Sequence, residues 1–511
     1  MRRAIPIMVQ GTHSDAGKSL IATALCRIFA EDGYRTAPFK SQNMSLNSYV
    51  TADGLEIGRA QGVQAEAAGV VGTTDMNPIL IKPSRDYESQ IVVHGKPFRT
   101  MKAGEYRSDF FEKGKQIIAD AYSRLSESYD RIVIEGAGSP AEINLNDREL
   151  VNMRVARMAN APVVLVGDID KGGVFASLVG TLQLLDPVDR ERVAGVIINK
   201  FRGDISLLKP GLDWFLDYTG IPVLGVMPYL EDLNIEAEDS LALSKYSRNR
   251  SSEKAIDVAV IAVSRISNFT DIDPFTVELD CHVRMVRSLE ELGEPDLIIV
   301  PGSKNTIEDL TELRNKGLVK AIVKLSHERR TSIFGICGGY QMLGEKIEDP
   351  HGVESTIRSA EGMGLLPVRT VLAKEKATIR SKGIIELDRR SISVEGYEIH
   401  MGRTTPTTEV ELLVKVFRED EIHKDGCRIG DSVIGTYFHG IFHNDEFRAA
   451  YLNVIRRRKG LTEQQHEEIV DYRLLRDQGF QRLAAAAREH IDMAALQQIM
   501  EQFHKRDTVK S

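Results

Sequence analysis

The stretch Ser332-Ile-Phe-Gly-Ile-Cys337-Gly-Gly-Tyr-Gln-Met-Leu-Gly344 decides how this chain of 511 residues is read. The apolar run Ile333-Phe334, with Ile336, reads as the end of a buried strand. It stops at Cys337, two glycines follow, and Tyr340-Gln-Met-Leu343 is apolar at helical spacing. Strand, sharp turn and helix, with a nucleophile on the turn, form the cysteine version of a nucleophile elbow. Glycines permit the strained dihedrals of such a turn, and the helix N-terminus favours the thiolate. A lone cysteine after an apolar run is also a common buried hydrophobe, so the choice rests on a partner. Gly435-Thr-Tyr-Phe-His439-Gly-Ile-Phe442 reads as a second short strand that ends on a histidine. A cysteine and a histidine, each at a strand end, fit a nucleophile and its base. The chemistry expected is acyl transfer through a thioester. His400 is the rival base, but no apolar strand carries it to a glycine turn.

A second motif opens the chain. Ile5 to Val9 reads as a buried strand, Gly11-Thr-His-Ser-Asp-Ala-Gly17-Lys18-Ser19 as a glycine loop, and Leu20 to Phe29 as a helix. That order is the context a P-loop requires. Backbone amides of Gly11, Thr12, Ser14, Asp15, Ala16 and Gly17 are expected around the phosphates of ATP. Lys18 would bridge the outer ones, and the Ser19 hydroxyl would ligate Mg²⁺. Glu135 ends the apolar strand Arg131-Ile-Val-Ile-Glu135, where such proteins hold the metal; Asp53 and Glu56 are further metal candidates. Between them, Lys40-Ser-Gln42-Asn43-Met-Ser45-Leu-Asn47-Ser48 is a run of amides and hydroxyls, a solvated loop by default. Beside a P-loop it becomes a candidate clamp for polar substrate groups, with Lys40, Gln42, Asn43, Ser45 and Asn47 as its members.

Composition bounds the class. Hydrophobic residues at 42% and charged ones at 27% describe a globular protein of two to four domains. A net charge of −8 argues against nucleic acid and anionic membranes as partners. The four cysteines are scattered, which excludes a disulfide framework and a CxxC zinc site. The apolar run at the start is too short for a signal peptide, and no stretch approaches a membrane span, so a cytoplasmic protein is expected. Three segments follow from the rhythm of strands: 1–245, an ATP-binding domain; 255–445, a second α/β domain; and 446–511, a charged helical appendage with an apolar stripe at Leu483, Ala487, Ile491 and Leu496. A polar linker is expected over 243–255. The fold class is α/β, with two doubly wound domains and a helical tail.

Gly335-Ile-Cys337-Gly-Gly339-Tyr-Gln341 resembles the nucleophile motif of class I glutamine amidotransferases. That resemblance implies glutamine as nitrogen donor, an oxyanion hole from the amides of Gly302, Ser303 and Gly338, and Gln341 in the glutamine site. The family's base motif carries a glutamate two residues after its histidine. Here Ile441 stands in that position, and the chain resembles the cobalamin-pathway branch, with a Cys-His dyad. The P-loop, one residue longer than usual, is similar to that of the dethiobiotin synthetase branch, which implies that Asn199 reads the adenine base. The Lys40–Ser48 loop, the Ser267-Asn-Phe-Thr-Asp271 turn, Pro301-Gly-Ser-Lys-Asn-Thr306 and Gly435 to Gly440 together resemble the amide ligases of that pathway. The resemblance implies ATP- and glutamine-dependent amidation of the b, d, e and g carboxylates of a corrinoid, adenosylcobyrinic acid a,c-diamide. An anionic substrate of this kind suits Lys40, Arg59, Lys82, Arg85 and Lys171. Two alternatives are a sister amidotransferase for another carboxylate and a MinD-type ATPase switch with a degenerate glutaminase. The polar loop counts against the first. The P-loop's lack of a second lysine, and the presence of both Cys337 and His439, count against the second.

Overall fold

The computed structural model describes residues 3–508 except 86, 237–245, 247–253, 329, 419 and 420. The expected linker over 243–255 thus lies largely outside the described residues.

Of the three six-stranded sheets among the described residues, two carry the motifs. In the first, strands run in the order Val223–Pro228, Val193–Phe201, Val163–Asp168, Ile5–Gly11, Arg131–Glu135, Thr36–Phe39, all parallel. Their sequences are near-continuous apolar runs because both faces are covered, as in parallel sheets generally; Ile5–Gly11 is buried at every position. The second has the order Cys281–Val286, Ile256–Ile261, Leu297–Val300, Ser332–Ile336, Val433–Thr436, Cys427–Ile429, parallel except for the last strand. The elbow strand Ser332–Ile336 and the histidine strand Val433–Thr436 are direct neighbours. That pairing brings together two motifs that are distant in sequence. Each sheet presents its chemistry at the carboxyl ends of its strands, where open α/β sheets bind ligands.

Two further sheets complete the site region. One is a four-stranded sheet of Gln42–Met44, Ile79–Arg85, Glu88–Val93 and Lys96–Lys102. The other is the third six-stranded sheet, built on a long hairpin of Val368–Leu387 and Arg390–Pro406 whose pairing is interrupted between Leu372 and Ala377.

The C-terminal helices divide between the two domains. In Asp445–Arg458, the side chains of Phe447, Tyr451, Leu452 and Ile455 enter the core of the second domain. Tyr472–His490 and Met493–Thr508 return to the first domain. There Leu483, Ala487, Ile491 and Leu496 pack in one cluster with Ile7, Val9, Ile21, Leu25 and Phe29. The amide of Asp492 donates to Leu224 O at 2.7 Å, which ties the helices to the edge strand. The apolar stripe is therefore part of the nucleotide-side core, beneath the P-loop helix Lys18–Glu31. Leu483→Ala is expected to lower stability by about 3 kcal/mol, as a cavity in a closed core does. Leu474→Ala, on the exposed face, should stay within about 0.5 kcal/mol. Denaturant unfolding read by nucleotide-site fluorescence checks both.

Candidate active site

The elbow is strained where its function requires it. Cys337 has φ 52° and ψ −107°, a conformation that a non-glycine residue adopts only under constraint. Its amide donates to Thr436 O at 2.8 Å. The neighbouring glycines are obligatory: a Cβ on Gly339 would lie 1.8 Å from Val300 O, and one on Gly338 would lie 2.7 Å from Ser303 N. The amides of Ser303 and Gly338 are thus close together beside the nucleophile, as an oxyanion hole needs. Ser303 is held by its hydroxyl, which donates to Asp309 Oδ2 at 2.6 Å. Burial pushes the Asp309 carboxyl up to about 6. Gln341 Nε2 donates to the Tyr437 hydroxyl at 3.2 Å, and its side chain lines the chamber beside Cys337.

His439 is fully buried and close enough to the Cys337 thiol for that thiol to favour its proton, while the thiol itself donates to Ile399 O at 3.8 Å. Its backbone pairs in both directions with Tyr397, at 2.8 and 3.1 Å, and the Tyr397 ring stacks on the imidazole. His400, which also lines the chamber at Cys337, is stacked on Tyr437 with Nδ1 against Gly402 O at 2.8 Å.

The expected dyad is corrected by a third member. His439 Nδ1 lies 2.7 Å from Asp271 Oδ2, and the other carboxylate oxygen accepts the Gly440 amide at 2.7 Å. Asp271 lies in the 3₁₀ segment Phe269–Val277, far from the position after the histidine that Ile441 fills. Burial opposes a charge on the imidazole, but the Asp271 carboxylate and the contact with Cys337 outweigh it and push His439 up to about 10. A protonated imidazole beside a sulfur nucleophile is the arrangement that activates cysteine and later protonates a leaving nitrogen. No feature near His439 in sequence points to Asp271; only the Ser267–Asp271 turn carries it.

At the other edge, Ser14, Asp15, Gly17, Lys18 and Ser19 line a cavity of about 900 Å³. Gly11 ends the first strand, Thr12 Oγ1 meets His13 Nδ1 at 3.0 Å, and Ala16 is buried. Lys18 Nζ donates to His13 O and Gly138 O at 2.9 and 3.1 Å. Asn199, expected at the adenine, donates from Nδ2 to Ala16 O at 3.0 Å and braces the loop where a Cβ on Gly17 would collide with it. Lys200, beside it, lines the cavity.

Ser19 Oγ donates to Glu135 Oε1 at 2.8 Å, while Lys40 Nζ and Gln64 Nε2 reach the same carboxylate at 2.9 and 2.5 Å. A hydroxyl and a carboxylate side by side suit Mg²⁺, which takes one or two protein oxygens and completes its shell with water and phosphate. Asp53 and Glu56 are not brought there. Asp53 accepts from Thr51 Oγ1 at 2.5 Å, and Glu56 is buried between Lys82 and Lys376; neither lines the cavity. Among the described residues no group of three or more His, Cys, Asp or Glu could hold a metal.

Of the polar loop, Lys40, Gln42 and Asn43 line the cavity. Ser45 and Asn47 do not. Asn47 Oδ1 accepts the Phe269 amide at 3.2 Å, and Ser48 N donates to Asn268 Oδ1 at 2.9 Å, so the loop's far end docks on the second domain. Asn268 in turn touches His439 Nε2 at 3.3 Å. Of the other basic candidates, Arg59 pairs with Glu236, Lys82 with Glu56, Arg85 with Glu88 and Lys171 with Asp15. None of the four lines the cavity, whereas Arg107 and Arg148 do.

A buried thiol–imidazole–carboxylate relay and a phosphate-binding loop in one chain define a glutamine-dependent amide ligase with its own nucleotide site. Residues 257–447 match the model of the CobB/CobQ-like glutamine amidotransferase domain, and residues 7–242 that of the CobQ/CobB/MinD/ParA nucleotide binding domain. The chain is 61% identical to a cobyric acid synthase of Geobacillus sp. strain WCH70, over 99% of its own length and 100% of the relative's. Identity is 60% with that of Geobacillus thermodenitrificans strain NG80-2, over 99% and 100% of the two chains. With that of Desulforamulus reducens it is 48%, over 98% and 99%. The chain belongs to the cobyric acid synthase family.

Asp271→Asn removes the anion that outweighs burial, so the imidazole loses its proton at lower pH. Because the imidazolium must protonate the departing nitrogen, the alkaline limb of glutamine hydrolysis should shift to lower pH. Turnover should fall roughly tenfold to a hundredfold. A pH profile of glutamate release measures both.

Proposed function

We propose that the chain amidates the b, d, e and g side-chain carboxylates of adenosylcobyrinic acid a,c-diamide, with glutamine as nitrogen donor and ATP as activator. The observation that carries this reading is the juxtaposition of two complete half-sites. One strand of the four-stranded sheet, Ile79–Arg85, serves both the cavity of the Lys18–Ser19–Glu135 site, through Ile81, and the chamber at Cys337, through Lys82. The names of relatives matched over nearly the whole chain support the corrinoid, and a cavity of about 900 Å³ edged by Lys40, Arg107 and Arg148 suits a large polyanion.

In this reading the Cys337 thiolate attacks the carboxamide carbon of glutamine, and the amides of Ser303 and Gly338 receive the oxyanion. His439 gives its proton to the nitrogen as the carbon–nitrogen bond breaks, and ammonia leaves. Water then attacks the thioester, passes a proton to His439, and releases glutamate and the thiolate. On the nucleotide side the outer phosphoryl group of ATP passes to a substrate carboxylate oxygen. Ammonia attacks that carbonyl carbon, phosphate departs with the bonding pair, and the nitrogen loses a proton to give the primary amide. Ser19 and Glu135 would hold Mg²⁺, which neutralises phosphate charge when bound. The chamber at Cys337 has a volume of about 30 Å³, room for about one water molecule, so the glutamine-bound form is wider.

Cys337→Ala should abolish amidation from glutamine and leave amidation from ammonium salts intact. Lys18→Ala should lose both by roughly 100-fold or more. Product amides and glutamate, measured with the corrinoid and Mg-ATP, test this. Glutamate release with an untouched corrinoid would overturn the substrate, and equal loss of both nitrogen sources in Cys337→Ala would overturn the division of labour.

A further inference from the structure

The imidazole of His439 has two nitrogens, and both have partners. Nδ1 is held by Asp271 at 2.7 Å. Nε2, the nitrogen that must serve the sulfur, lies 3.3 Å from Asn268 Nδ2. Which end of the Asn268 carboxamide faces the ring is fixed by its other contact. Its Oδ1 accepts the Ser48 amide at 2.9 Å, and a backbone N–H only donates, so the NH₂ end is left for the imidazole. The ring that suits an NH₂ donor is neutral, with its proton on Nδ1 and a lone pair on Nε2. A lone pair engaged in this way does not take the proton of Cys337, and the thiol donates elsewhere, to Ile399 O at 3.8 Å. Asp271 and the thiol favour the imidazolium, but its Nε2 proton would meet a second donor at Asn268. The amide therefore opposes the charge that the carboxylate supports.

Resting on the assignment of His439 as the base, we infer that Asn268 is a positioning residue of glutamine hydrolysis: it caps Nε2 of His439, and the nucleotide-side loop holds the cap in place through Ser48. Asn268 is buried, with φ 51° and ψ 43°, a left-handed conformation that asparagine tolerates better than most residues. The backbone thus aims the side chain. The turn that carries it is a junction. Ile266–Ser267 pairs antiparallel with Gly302–Ser303, which supplies an amide of the oxyanion hole. Asn47 and Ser48, consecutive in the loop, bind Phe269 and Asn268, consecutive in the turn. Ser48 is itself fastened, its hydroxyl lying 2.6 Å from Glu56 Oε1 and 2.7 Å from Lys82 Nζ. The head of the same loop, Gln42 and Asn43, lines the nucleotide-side cavity. Asn268 also forms part of the wall of the chamber at Cys337, which has room for about one water. Withdrawing the amide therefore widens the chamber and lets the ring charge. The titratable groups that face His439 are Cys337 from the elbow, Asp271 from the turn and Tyr397 from the hairpin. Arg59 from the nucleotide-side domain acts on Asp271 and Tyr397, and Lys82, Lys304 and Lys376 line the chamber.

The test uses the full chain with Asn268→Gly, which keeps the left-handed backbone and removes the amide. Asn268→Asp is its companion, keeping the shape and putting a carboxylate oxygen where the NH₂ stands. Glutamate release from glutamine, without ATP or corrinoid, is followed against pH, together with the rate at which iodoacetamide alkylates Cys337. Asn268→Gly should release glutamate roughly fivefold or more faster than the native chain. Its alkaline limb should move to higher pH, because the imidazolium no longer meets a donor, and Cys337 should be alkylated faster at neutral pH. Asn268→Asp should also move the limb up but release glutamate more slowly than the native chain. Its carboxylate binds the Nε2 proton that the leaving nitrogen needs. A merely structural role would slow both variants and leave the limb in place. An Asn268→Gly chain no faster than the native one, or an unmoved limb, would overturn the cap. A native chain that releases no glutamate even with Mg-ATP and the corrinoid would instead overturn the assignment of Cys337 and His439.

Discussion

Glu56 is buried without exposed surface, and ammonium groups from two domains close on its carboxylate. Burial alone would raise its pKa; Lys376 and Lys82 reverse this and hold it well below the usual carboxylate range. Removing one partner of a buried ion cluster costs about 3–5 kcal/mol, because a charge is left without compensation. The cluster therefore fixes the register of the hairpin Val368–Leu387 against the nucleotide-side domain. Both the chamber at Cys337 and the wall of the large cavity depend on that register. Tyr397, on the paired strand, holds His439 through two backbone hydrogen bonds. Gly396, beside it, has no room for a side chain: a Cβ there would lie 2.2 Å from His439 O.

The base is built in the same way, by parts that arrive from far along the chain. Asp271 is 168 residues from His439 in sequence. The carboxylate's job is geometric and electrostatic: it fixes which ring nitrogen bears the proton and keeps the ring charged beside the sulfur. A glutamate two residues after the histidine would serve the same end, but Ile441 at that place is fully buried in the core. The turn Ser267–Asp271 replaces it and, through Asn268, also binds the end of the polar loop that begins at Lys40. One turn thus touches the base and the nucleotide-side domain together.

Local order was legible in the sequence and long-range order was not. The elbow at Cys337 and the loop at Lys18 each need a strand, a glycine turn and a helix within some twenty residues, and periodicity reveals those elements directly. Glu135 was legible for the same reason, as an acid at the end of an apolar strand. Glu56 was not, because its partner Lys376 is 320 residues away and nothing beside Glu56 in the chain marks it as an interdomain anchor. Ser45 and Asn47 had the composition of a substrate clamp but lie where the loop has already left the cavity. The last helices had a clear apolar stripe; that it covers the P-loop helix depends on the chain's return across the molecule, which periodicity does not encode.

The central claim is that the nitrogen released at Cys337 becomes the new amide on the nucleotide side. The most direct measurement supplies the native chain with glutamine labelled in its amide nitrogen, the corrinoid and Mg-ATP, in neutral buffer. If the account is right, the new amides carry the glutamine label. Product amides without the label would contradict it.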